Sequence, residues 1–446
     1  MTIDIKAFHL ACDPSRTLDI TVPEDKKVYI DFSPVRGEQV IEGIGDNIAE
    51  WSPDQPSCQL FTGHIGCGKS TELLRLKSLL EAKGFQVVYF DSSRYVNIGD
   101  VDVSDILISI IRQISEDGDL EKMIPEPPVK GYFQTIADGI KKILPEDTSV
   151  TLPGLETVGV PIRMLKTFAE WLKKAKESPD FRSRLRDYLE PKTDKILDGM
   201  NEELLDPVVA RLKKEGKNGL VVIADGLDKI ERSRSPGEKT RAEYLFSDRA
   251  EELKRLNCHL IYAIPFELVF SQEIGHISNR FGADPHVLPM IPVLQRDGNE
   301  EERGMELLRQ MVTVRAFPDE SGKQAKNRLS EIFEEEEILN QLCRVSGGHP
   351  RNLMRLVREC IRKKKSLPLS ADALEDVIRE NKNKASLPLS GVEWELLREV
   401  KASKNIQEYE KYHSLLRNHF VLEYRDKDGS WFDVNPILTG ARELNV

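Results

Sequence analysis

Gly63-His64-Ile65-Gly66-Cys67-Gly68-Lys69-Ser70-Thr71 fits the pattern G-x-x-x-x-G-K-[ST] without a gap. The chemistry explains the residue types. Glycines at 63, 66 and 68 permit a tight turn whose backbone N–H groups can wrap a polyphosphate, an approach that side chains would block. The Lys69 ammonium reaches toward β- and γ-phosphates, the helix opening there adds its positive end, and the Ser70 hydroxyl is set to hold Mg2+. Thr71 is a neighbouring phosphate contact, and His64, Ile65 and Cys67 fill the variable positions of the turn.

A carboxylate for that metal lies about 155 residues further on. Gly219-Leu220-Val221-Val222-Ile223-Ala224 reads as a buried strand that delivers Asp225 at its carboxyl end, where it would bind the Mg2+ shell through water, opposite Ser70. Gly226 follows and offers no carboxylate. Asp228 is then the nearest group for an attacking water; it either orients that water or caps the following turn. A weak base here implies slow turnover.

Two arginines complete the chemical inventory. Arg280, in Ser278-Asn279-Arg280-Phe281-Gly282, either reaches a neighbouring subunit's nucleotide to neutralise transition-state charge or is a solvated loop residue. Arg351 follows Ser346-Gly347-Gly348-His349-Pro350; Pro350 opens a helix, and Arg351 in its first turn can touch a γ-phosphate. Val35, Arg36 and Gly37 precede the first core strand and are either part of an adenine pocket or a plain loop.

These residues need elements to position them. Cys58-Gln59-Leu60-Phe61 supplies the strand before the glycine loop, and Glu72–Leu80 continues it as an amphipathic helix. Further buried strands are expected at Phe85–Phe90, Cys258–Pro265 and Val287–Val293, and helices at Ser104–Ile114 (Ser104 as its cap) and Ala242–Leu256. An extended segment is expected at Lys27–Phe32, followed by a helix with Val40, Ile41, Ile44 and Ile48 on one face. Residues 118–215, with Pro125, Pro127, Pro128, Pro145 and Pro153 in their connections and helices at Leu165–Lys176 and Phe181–Leu189, read as a largely helical insertion. From residue 300 the pattern is helical: Arg303–Val314, Ala325–Glu335, Glu337–Val345, Asn352–Lys364 and Ala371–Asn381. Gly391–Ala402 and Ile406–Asn418 are then two helices before a hairpin, Phe420–Tyr424 with Trp431–Val434, across an Asp-Gly turn. The domains expected are a lead-in at 1–45, a core at 46–299, a helical lid at 300–385 and a winged-helix-like unit at 386–446.

At 446 residues the chain is long enough for about two to four domains. A net charge of -11 excludes an overall basic field for nucleic acid or anionic membrane, so any such contact must be local. Arg355, Arg358, Arg362, Lys363, Lys364 and Lys365 are one local candidate, either a DNA-facing surface or a solvated face. The helix before the hairpin is mixed in charge, which favours protein contact over groove insertion. The six cysteines form no C-x-x-C pair; Cys67 in the loop is either a redox sensor or a tolerated variable residue. No apolar run is long enough to span a bilayer, and the amino terminus lacks a signal pattern, so a cytoplasmic location is expected.

Taken together, GHIGCGKST, VVIADGLD, the arginine before the fifth strand, SGGHPR and the terminal helix–hairpin pattern resemble AAA+-related ATPases of the STAND or origin-recognition type, over residues 35–446. The resemblance implies an α/β P-loop core with a five-stranded parallel sheet in the order 5-1-4-3-2, an all-α lid and a winged helix, with ATP or ADP and Mg2+ between core and lid. It implies two functional classes. One is a slowly hydrolysing nucleotide switch that assembles with a protein partner, or with itself on binding ATP, as in bacterial defence systems. The other is a DNA-associated ATPase of the origin-recognition or transposition-regulator kind. The absent Glu beside Asp225 and the apolar Ala263, where a polar sensor would stand, depart from the family pattern.

Overall fold

The computed structural model describes residues 3–37, 39–124, 131–143, 171, 173–230, 239–320 and 322–445. They form two compact units, one of Glu42–Thr62 with Leu76–His286, and one of Met1–Ile41, Gly63–Arg75 and Val287–Val446. Among the described residues no helix is long and apolar enough to cross a membrane.

The first unit carries the first four strands of a sheet, except Gly63 at the end of the first, and only His286 of the fifth. Cys58–Gly63 (β1), Phe85–Asp91 (β2), Gly219–Asp225 (β3), His259–Ala263 (β4) and His286–Leu288 (β5) are ordered β2-β3-β4-β1-β5, the expected 5-1-4-3-2 counted from the other edge. Strands β2, β3, β4 and β1 pair in parallel. Parallel strands are covered on both faces, which is why they read as unbroken apolar runs; every residue of β3 is buried. Strand β5 is shorter than expected because Pro289 and Pro292 lack the N–H that would continue the ladder.

Helix Val103–Glu116 packs Ile106, Leu107, Ile110 and Ile111 into one cluster with Val88, Leu220 and Val222. Its cap is Asp102 rather than Ser104: the Asp102 and Asp105 carboxylates close a reciprocal capping box, and Ser104 is buried inside the first turn. The expected helix over Ala242–Leu256 is broken into Arg241–Glu243, a π-helical turn Tyr244–Asp248, and Ala250–Lys254.

The insertion is helical where it is described, with Tyr132–Ile143, Pro179–Leu189, Thr193–Gly199 and Asp206–Lys214. The expected helix Leu165–Lys176 lies largely outside the described residues. Helix Pro179–Leu189 is fastened by charge as well as by Phe181, Leu185 and Leu189. Arg186 donates to the Asp100 carboxylate (2.8 Å) and the Asp105 carboxylate (3.3 Å), and Arg182 donates to Asp100 (3.2 Å).

The second unit holds the glycine loop and the carboxyl-terminal helices. Phe8, Phe32, Met305, Leu308, Leu339, Leu342, Leu353 and Val357 share its core. Helices Glu302–Ala316, Glu336–Ser346, Pro350–Lys364 and Ala371–Ser386 follow the expected periodicity. Two expectations fail locally. Lys27 and Val28 end a helix, Pro23–Val28, that starts on a proline at its first position, so the extended segment begins later. The run Ala325–Glu335 splits into Gly322–Asn327 and the short turn Leu329–Glu331. The chain is pulled straight there because Glu334 N–H donates to the Leu369 carbonyl (2.9 Å) and Leu369 N–H to that of Ile332 (2.7 Å). Helices Gly391–Ser403 and Tyr409–Arg417 lead into the hairpin Val421–Asp426 (β6) and Gly429–Val434 (β7), with Tyr424 paired to Trp431 and their rings stacked at 4.7 Å.

The charged fastening of the insertion is testable. Arg186→Ala takes one cationic partner from Asp100, which keeps Arg182, and one from Asp105, and should lower unfolding stability by about 2–3 kcal/mol, read as a shift in urea midpoint.

Candidate functional site

Three of the nine residues Gly63–Thr71 are glycine, so the shape of the turn is set by what grips it. Gly63, Gly66 and Gly68 have φ of +152°, +87° and +107°, values that other residues rarely adopt. A Cβ on Gly66 would fall 2.6 Å from the His349 ring and 3.1 Å from Arg351, which places the lid motif directly against the turn. Lys69, 5% exposed, donates its ammonium hydrogens to the carbonyls of Gly63 (2.8 Å) and His64 (3.0 Å). Arg36 reaches in from the amino-terminal segment and donates to the Cys67 carbonyl (2.7 Å); its Nε, also buried, makes no hydrogen bond among the described residues. Val35, beside it, points into the unit's apolar core.

The remaining loop residues separate by role. The Ser70 hydroxyl is half-buried and makes no protein hydrogen bond among the described residues, which leaves it available to a cation. Thr71 instead accepts from the Leu18 N–H (3.3 Å). Cys67 is fully buried, without the access that a redox sensor needs. Pro350 is the first residue of helix Pro350–Lys364 and Arg351 lies in its first turn, as expected.

His64 in the turn and two histidines from elsewhere in the chain cluster here, and no local pattern signals their meeting. His349 caps the lid helix: its Nδ1 accepts from the Asn352 N–H (3.2 Å) and its Nε2–H donates to the Ile65 carbonyl (3.0 Å). The Nε2 of His64 accepts from the Glu423 N–H on β6 (3.0 Å). His419, just before β6, lies 5.0 Å from the His349 ring and 5.7 Å from the His64 ring. A hydrogen-bond acceptor nitrogen on His64 and on His349 requires the neutral imidazole. Burial lowers all three, with the neighbouring histidines, Lys69 and Arg351 adding to it, and His419 is brought down to about 4. Glu423 is pushed the other way, up to about 7, by burial.

Asp225 and Asp228 belong to the sheet unit. Asp225 is 4% exposed; one carboxylate oxygen accepts from the Tyr89 hydroxyl (2.7 Å) and the other from the Gly226 N–H (2.7 Å). Asp228 sits half-buried in the short turn Leu227–Lys229. Arg280 is not in a loop: it lies in the last turn of helix Ile274–Phe281, which Gly282 ends in the left-handed conformation. Its guanidinium is 3.5 Å from Glu251 and 42% exposed. The basic run is largely committed to neighbours. Arg355 donates to Asn381, Arg358 pairs with Asp13, Lys363 with Asp376 and Glu380, and Lys364 with Glu334.

A sheet in the order β2-β3-β4-β1-β5, with a G-x-x-x-x-G-K-S turn after β1 and an acidic residue ending β3, defines a P-loop fold. Solved structures similar to this chain include the ORC2 protein of Aeropyrum pernix in ADPNP–ADP complexes, at 15% identity over 94% of each chain with a TM-score of 0.41. A Walker-type ATPase of Pyrococcus abyssi is 15% identical over 98% of this chain and 100% of that one, with a TM-score of 0.44. The ORC1 protein of Aeropyrum pernix in complex with DNA is 12% identical over 89% of this chain and 88% of that one, with a TM-score of 0.34. No family model and no curated protein sequence matches the chain.

The histidine cluster makes stability depend on pH. Unfolded histidines take up protons near pH 6.5 and the folded ones do not, so their contribution is full above that pH and is lost as pH falls toward 4. Glu423 acts in the opposite sense, losing stability as pH rises from 4.5 toward 7, but it is one group against three. The melting temperature should therefore drop between pH 6.5 and 4.5. His349→Asn, which keeps a capping side chain, should flatten that drop by about 1 kcal/mol per pH unit in stability.

Proposed function

We propose that the chain is an ATP-binding, slowly hydrolysing switch whose nucleotide state controls assembly with a protein partner. One observation carries the binding step. The Lys69, Arg36 and His349 contacts to the loop are all made through carbonyl oxygens, on a turn beside which the Arg351 side chain also lies. The residues fit a polyphosphate: Lys69, Arg36 and Arg351 are three cations beside a glycine turn, and the buried Nε of Arg36 makes no hydrogen bond among the described residues. Ser70 and Asp225 would hold Mg2+, which would supply charge neutralisation on the phosphates.

The lid connects this site to a partner. Arg351 and His349 begin the helix that carries the core of the carboxyl-terminal elements, so a ligand that displaces either one acts on that helix. A protein partner is favoured over DNA because four members of the basic run are already paired and because Tyr409–Arg417 carries one glutamate against one lysine and one arginine. Arg280, exposed beside Glu251, would act on a second copy of the chain in an ATP-bound assembly.

Lys69→Ala should weaken ATP binding by roughly 100-fold, about 3 kcal/mol, measured by titration calorimetry. Unchanged affinity would overturn the proposal. Duplex DNA should show no anisotropy change at low salt; tight, salt-sensitive binding would instead support the DNA-associated class.

A further inference from the structure

Strands β2 and β3 are neighbours in register, and their last pair is Asp91 with Asp225. Both carboxylates therefore leave the sheet at the same carboxyl edge, although 134 residues separate them in the chain. The residue after Asp225 is Gly226, in the left-handed conformation at φ +81°. A Cβ built on Gly226 would fall 2.0 Å from Asp91 Oδ1. The space beside Asp225 that a side chain at 226 would enter is thus filled by the carboxylate of Asp91.

Asp91 is held in place and kept charged. Its Oδ1 accepts from the Ser93 N–H (3.0 Å) and hydroxyl (2.6 Å), and Lys229 stands 3.3 Å from Oδ2. Burial alone would raise its carboxyl, but the Ser93 hydroxyl and Lys229 outweigh that and hold it below the usual carboxylate range. Arg94, 3.8 Å away, adds positive charge, and the side chain keeps 23% of its surface exposed, enough for a water to reach it. Asp228, by contrast, lies beyond Gly226 on a separate turn.

We propose that Asp91, not Asp228, is the carboxylate that orients the attacking water in the hydrolysis proposed above. Water oxygen adds to the γ-phosphorus and the β–γ bridging P–O bond breaks, its electron pair leaving with ADP. The water's protons end on the released phosphate and in solvent, and Asp91 serves as the hydrogen-bond acceptor that aims the oxygen. The inference rests on the ATPase reading, and binding and turnover are separable readouts.

The test compares Asp91→Asn, Asp91→Glu and Asp228→Asn in the full chain by steady-state phosphate release and by ATP titration. Asn still accepts from Ser93, so Asp91→Asn should keep the melting temperature and ATP affinity while kcat falls by roughly 100-fold. Asp91→Glu should restore part of that loss, and the acid limb of the kcat profile should vanish in Asp91→Asn. Asp228→Asn should retain wild-type kcat. Wild-type turnover in Asp91→Asn, or its loss only in Asp228→Asn, overturns the inference while leaving nucleotide binding standing. Failure of the unsubstituted chain to bind ATP would sink the ATPase reading and the inference with it.

Discussion

The contact on which the loop unit depends is the grip of buried cationic and imidazole groups on the carbonyl oxygens of a glycine turn. Glycine supplies freedom without supplying a shape, and the conformational entropy of three such residues opposes any single arrangement. Lys69, Arg36 and His349 meet that opposition with directed hydrogen bonds from three different stretches of chain. Because each is buried, each bond is stronger than it would be in water, and an unmade one would be correspondingly expensive. This couples the turn to the lid: His349 cannot leave Ile65 without also disturbing the first turn of helix Pro350–Lys364, which it caps.

Much of the architecture was legible in the residues, for a physical reason. Parallel strands buried on both faces must be apolar throughout, so β1 to β4 announce themselves, and G-x-x-x-x-G-K-S has few other uses. Lid helices were equally visible through their periodicity. The misreadings occurred where tertiary contacts or proline overrode local pattern. Pro289 and Pro292 cut β5 short, a single bridge between Phe333 and Leu369 broke an expected helix, and a reciprocal carboxylate box took the cap from Ser104.

The site was less legible than the fold. Lys69 and Arg351 stand in recognisable motifs, whereas the Arg36 contact to Cys67 is not the adenine-pocket or plain-loop role that its position suggests, and His64, His349, His419 and Glu423 come together across gaps that no local window spans. Asp91 was hidden differently. It ends a strand whose neighbour, β3, is far away in sequence, and only their register shows the two carboxylates side by side. A histidine also makes an unusual helix cap, so His349 carried none of the Ser, Thr, Asp or Asn signal that marks such positions.

The separations of those contacts bear on how the chain comes to be folded. His349 meets Ile65 across 284 positions, and Glu423 meets His64 across 359. Because a chain emerging from the ribosome presents its amino end first, the glycine turn is made long before the groups that shape it exist. Its final geometry depends on groups synthesised after it, and fragments lacking that hairpin hold the turn unsupported by β6.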